Sequence, residues 1–111
     1  MGSTPILDTN TIALKYMKNL SFSTALDACK KGHRIAREGW NGKGMYVWYM
    51  PPLNVPAEWC KEPVLKQLAN ENGGNIECLG TLRMYTADKK VLTGWLASQT
   101  DLLADDWTVL E

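Results

Sequence analysis

One histidine, one phenylalanine and three widely spaced cysteines leave this chain of 111 residues with little of the equipment of catalysis or metal binding. A nucleophile needs a base in reach, and His33 stands with no serine or cysteine at a motif spacing. Cys29, Cys60 and Cys78 are odd in number and contain no CxxC, which argues against both a zinc site and a disulfide framework. They read as buried or inert thiols. Asp105-Asp106 reads as an exposed acidic turn, because neighbouring acids in a strand point apart rather than onto one metal. No apolar run approaches the roughly 20 residues of a membrane span, and the start lacks the charged-then-apolar form of a signal peptide. A cytoplasmic protein without a cofactor is expected. Met1-Gly2 is not followed by the Ser or Thr that myristoylation wants, since Ile6 stands at the sixth position.

Charge of one sign is also missing. Twelve basic and twelve acidic residues cancel, so no bulk positive field exists to hold duplex nucleic acid by counterion release. Any anion must be met by local groups. A chain of this length makes one core and has little room for an elaborate internal site, which favours a site shared between subunits.

What the chain has in excess is tryptophan: five residues, about three times ordinary usage. Trp107, next to Val109, reads as core. Trp40 opens the pentad Trp40-Asn41-Gly42-Lys43-Gly44, which sets an indole, an amide and a cation on a backbone that glycines free to turn. An indole before a turn suits stacking on a base or ribose, although a plain hairpin turn accounts for the same residues. The pentad is not a Walker loop, lacking its glycine spacing and its Ser or Thr. Lys43 and Arg37 are candidates to meet a phosphate, and Asn41, Ser98 and Gln99 to read hydroxyls and base edges. Trp95 looks more like a strand end entering the core. Ser98 to Asp101 has capping-box form, and a helix N-terminus is itself suited to anions.

Hydrophobic periodicity orders the rest. Ile12, Tyr16 and Leu20 suggest a short helix within a leader of residues 1 to 20. A firmer helix follows, capped by Ser21, with Phe22, Ala25, Leu26 and Cys29 on one face and Gly32 after its end. His33 to Arg37 and Met45 to Met50 alternate as a hairpin, and Leu82 to Thr86 with Val91 to Leu96 as a second. Pro51, Pro52 and Pro56 open an excursion over 51 to 80 with its own helix, Val64 to Asn70, bounded by Pro63 and Gly73-Gly74. A helical turn after Ser98 and a strand over Thr108 to Leu110 complete the chain. The sum is an α+β fold, a single domain over 21 to 111 with a helix on an antiparallel sheet.

Arg37-Glu38-Gly39-Trp40-Asn41-Gly42-Lys43-Gly44-Met45, followed near the end by Gly94-Trp95-Leu96-Ala97-Ser98-Gln99-Thr100-Asp101-Leu102-Leu103-Ala104-Asp105-Asp106-Trp107, resembles the second type of Thoeris anti-defence protein from phages. The resemblance spans about 21 to 110. It implies a homotetrameric sponge that holds cyclic ADP-ribose isomers between protomers without cleaving them, with cyclic dinucleotides at a separate site in some relatives. It carries Trp40, Asn41, Lys43, Trp95, Ser98, Gln99 and Asp101 over as ligand-binding positions. An enzyme degrading the same signal, or a phage structural or protein-binding module, are the alternatives.

Overall fold

The computed structural model describes residues 17–110. Their contacts divide them into two units, one combining the chain up to Tyr49 with Leu82 onward, the other Met50–Thr81.

In the first unit, helix α1 (Phe22–Lys30) begins where the Ser21 hydroxyl accepts the Thr24 N–H at 3.3 Å, satisfying one donor that the first turn leaves open. It lies on a five-stranded antiparallel sheet made of β1 (Arg34–Arg37), β2 (Tyr46–Met50), β5 (Thr81–Tyr85), β6 (Val91–Thr93) and β7 (Trp107–Leu110). The strand order is β6-β5-β2-β1-β7. A short helix α3 (Gln99–Leu103) links β6 to β7. Side chains alternate across a strand, so Ile35, Val47, Met84, Trp107 and Val109 fall together beneath Ala25, Ala28 and Cys29 of the helix and form the core. Phe22 closes one side with its ring 5.1 Å from that of Trp107. Burial pushes the Cys29 thiol above its ordinary pKa, as an inert core thiol requires.

The opposite face of the sheet carries Arg34, Tyr46, Trp48 and Tyr85. The Tyr46 ring lies 5.3 Å from Tyr85 and 5.8 Å from Trp48. The Arg34 guanidinium sits 4.8 Å above it. Both faces of β2 are thus apolar or aromatic, but only the Met45, Val47 and Tyr49 face meets the core.

The second unit contains β3 (Leu53–Pro56) and β4 (Asn75–Cys78), paired antiparallel with Val55 opposite Ile76. Between them lie a 3-10 turn (Ala57–Trp59) and helix α2 (Pro63–Glu71), which starts on Pro63 and buries Ala69.

Most expected elements form, with three differences. The second hairpin strand stops at Thr93 rather than running to Leu96, because the N–H groups of Gly94 and Trp95 both turn to the Leu82 carbonyl. The helix buries Ala28 rather than Leu26 beside Ala25 and Cys29. Ile12 and Tyr16 of the expected leader helix lie outside the described residues, whereas Met17 to Leu20 are not helical: Asn19 has φ 56° and Leu20 bridges to Trp107.

Candidate functional site

Strand β1 and strand β7 run in register with Arg37 opposite Trp107, which delivers the arginine to the chain segment that precedes β7. Its guanidinium grips Asp106 through Nε to Oδ1 at 2.8 Å and Nη2 to Oδ2 at 3.3 Å, and reaches Asp101 Oδ1 through Nη1 at 2.8 Å. The fork geometry of arginine suits such paired oxygens. Only 14% of the arginine side chain and 13% of the Asp101 side chain remain exposed, so that pair is largely shielded from solvent, whereas Asp106 keeps 30% of its side chain exposed.

Each carboxylate also holds a second partner. Asp106 Oδ2 accepts the Gly39 N–H at 2.8 Å, and glycine is what permits the approach: a Cβ there would stand 2.5 Å from that oxygen. Asp101 Oδ1 accepts the Trp40 indole N–H at 3.0 Å, and its Oδ2 accepts the Ser98 N–H at 3.2 Å. The Ser98 hydroxyl in turn accepts the Asp101 N–H at 3.1 Å, completing the capping box of α3. The Trp107 indole N–H donates to the Asp101 carbonyl at 2.9 Å.

The electrostatics follow from those bonds. The hydrogen bonds to Asp106 and then Asp101 raise the Arg37 pKa further. Hydrogen bonding to Arg37 holds the Asp106 carboxyl below the ordinary carboxylate range. Burial pushes Asp101 up, but donors from Trp40, Arg37 and Ser98 outweigh it and leave that group lowered as well.

Three indoles meet around this network. Trp40 stands edge-on to Trp107 at 5.4 Å and to Trp95 at 6.0 Å, with Trp95 and Trp107 6.4 Å apart. Edge-to-face contacts of this kind add to the burial of each ring. Beside them the loop after β1 borders an open depression of about 280 Å³, lined by Arg37, Trp40, Lys43 and the backbone of Gly42 and Gly44, with Thr108 and Leu110 from β7 among its other walls. The turn takes its positive φ at Gly44, at 77°, and not at Asn41 or Gly42.

Of the positions expected to touch a ligand, Trp40 and Lys43 line the depression. Trp95 reaches it only through Trp40. Ser98 and Asp101 are occupied with each other, with Trp40 and with Arg37. Asn41 and Gln99 are exposed, and neither is among the residues that line the depression. Arg37, expected to meet a phosphate, is instead committed to two carboxylates. Asp106, expected in an exposed acidic turn, is one of them. Gly39 and Asp106 were not legible as site residues, because 67 residues separate them. The usable signal is that each sits beside a strand whose core residue is plain, Ile35 and Trp107.

The chain matches the model of the Thoeris anti-defense 2-like domain over residues 20–110. It belongs to that family. It is also similar to "Thoeris anti-defense 2" of Bacillus phage SP01, with 34% identity over 98 residues that cover 82% of this chain and 94% of the relative. The matched part of this Thoeris anti-defense 2-like chain contains the whole cluster of Arg37, Gly39, Trp40, Asp101 and Asp106. No helix among the described residues is long and apolar enough to cross a membrane.

Proposed function

We propose that this chain sequesters a cyclic ADP-ribose isomer, the ligand class that its resemblance to Thoeris anti-defence proteins implies, in a pocket whose floor is the depression beside Trp40. The observation that carries the reading is the pairing of an indole with an uncommitted cation. Of the two basic residues that line the depression, Arg37 is neutralised by Asp101 and Asp106, while Lys43 is exposed and enters no ion pair found among the described residues. An aromatic surface, backbone N–H groups on glycines and one mobile ammonium are the groups that bind a nucleotide without reacting with it. The nearby serine, Ser98, is spent on a helix cap.

Size supports a shared pocket. A depression of about 280 Å³ falls just below the roughly 300–1,000 Å³ typical of ligand sites, and it is open. A second protomer is needed to cover a ligand carrying an adenine and two phosphates well enough for nanomolar affinity, about 12 kcal/mol. A two-fold interface, the commonest closed symmetry, then gives an even-numbered oligomer, with a homotetramer of two dimers the expected form. The aromatic sheet face of Tyr46, Trp48 and Tyr85 is the surface proposed to meet another copy. A cyclic dinucleotide is a second candidate ligand, since the same indole and cation chemistry suits it.

The test is direct. Protein is incubated with glyco-cyclic ADP-ribose, denatured by heat and analysed by chromatography. Release of intact ligand in stoichiometric amount is expected. Turnover to breakdown products in excess of protein would instead make the chain an enzyme, and absence of any calorimetric signal would leave a structural or protein-binding module. Light scattering gives the mass of the assembly, and a monomer that still binds tightly removes the shared pocket.

A further inference from the structure

The geometry points to Asp106 as a positioning residue for the ligand site: with Arg37 and Asp101 it forms a latch that fixes the loop of Trp40 and Lys43 before any ligand arrives. This inference rests on the sequestration reading for the role of the loop, but the latch itself is read from the contacts.

Three observations carry it. First, the loop between β1 and β2 is tied at two successive residues. Gly39 is held through its backbone N–H by Asp106 Oδ2, at 2.8 Å, and Trp40 through its indole N–H by Asp101 Oδ1, at 3.0 Å. Second, the two carboxylates are not independent, because Arg37 binds both, at 2.8 Å each. Removing the Asp106 charge therefore unbalances the arginine that also orients the acceptor of Trp40. Third, Gly39 leaves no room for a different side chain against Asp106, so the tie depends on the close approach of backbone to carboxylate.

The consequence for binding is entropic and geometric. Trp40 touches the depression, whereas Asp106 does not line it; Asp106 acts only through the loop. A loop already held in the bound arrangement saves the ligand the free energy of ordering it. Loss of the latch should leave the indole packed near Trp107 but no longer held at one angle, with Lys43 three residues further on losing its fixed starting point.

The experiment uses the full chain with 5-fluorotryptophan incorporated, the Trp40 resonance being assigned by its loss in Trp40→Phe. Asp106→Asn keeps a carbonyl that can accept from Gly39 but removes the charge that Arg37 needs. Gly39→Ala leaves every charge in place and displaces the carboxylate sterically. In both variants the Trp40 fluorine line is expected to shift or broaden in the free protein, to return toward the wild-type position on addition of glyco-cyclic ADP-ribose, and to accompany a tenfold or greater loss of affinity by calorimetry. A purely structural role for Asp106 would lower the melting temperature while leaving the folded fraction with wild-type affinity and an unmoved Trp40 line, and that result overturns the proposal. Should Asp106→Asn fail to fold, Gly39→Ala decides alone by the same two readouts. If the wild-type protein binds no glyco-cyclic ADP-ribose, the sequestration reading fails, while an unmoved fluorine line in the free variants separately ends the latch.

Discussion

Trp40 donates its indole N–H to the same Asp101 oxygen that accepts from Arg37, at 3.0 and 2.8 Å. A side chain expected to lie open for stacking is therefore also a member of a partly buried polar network and of the tryptophan cluster. Both roles can be measured in one residue.

Trp40→Ala should weaken binding of glyco-cyclic ADP-ribose roughly tenfold or more, since stacking on an indole is worth about 1–3 kcal/mol per base. Calorimetry checks this. The same variant frees Asp101 of one donor, so a modest fall in melting temperature is expected; complete unfolding would show that the residue serves the core alone.

Trp107→Ala should act on stability. The side chain is fully buried and lies at the centre of the contacts with Phe22, Trp40 and Trp95. Truncating a buried aromatic of this kind costs about 3–5 kcal/mol, read from urea unfolding. A loss under 1 kcal/mol would contradict the placement.

Acid should loosen the network in a defined window. Asp101 and Asp106 have folded-state pKa values below the ordinary one, so their contribution is complete above the unfolded carboxylate pKa of about 3.9. It is lost as pH falls from there through the depressed folded values. Arg37 stays charged throughout that range. Arg37→Met should cost about 1.5–3 kcal/mol at neutral pH, the usual worth of hydrogen bonds to charged groups, and should flatten the acid limb of the stability curve. An unchanged limb would separate the acid response from these three residues.

Thr108→Val probes the wall of the depression. The Thr108 hydroxyl is shut off from solvent with no hydrogen-bond partner among the described residues, and such a group costs about 1–3 kcal/mol. The isosteric change should stabilise the ligand-free protein by about 1 kcal/mol. A destabilised variant would mean that the hydroxyl has a partner in the assembled protein.

The elements most legible in the sequence are those whose signal is local. The Ser21 cap, the Ser98–Asp101 capping box and Trp107 as core can each be read from a few neighbouring residues, and all three stand as expected. Strands β3 and β4 could not be read in the same way. Pro51, Pro52 and Pro56 look like breakers, yet proline is tolerated at a strand's edge where its missing N–H faces no partner, and Pro56 ends β3 opposite Asn75. The latch was illegible for another reason. Arg37 and Asp106 lie 69 residues apart, and only the register of β1 on β7 brings them together. A charge beside a glycine and a cation looks, in sequence, like an anion site; its partner being already inside the protein is a fact of topology.

Strands β2 and β5 are neighbours in the sheet, and residues 51 to 80 run between them in the chain. Adjacent strands stand about 4.8 Å apart, so a tight two-residue turn could join them as a simple hairpin. The intervening stretch, with its own paired strands and helix, is thus longer than joining the two strands requires. The strand order that brings Arg37 to its two carboxylates therefore sets no requirement on the length of that connection.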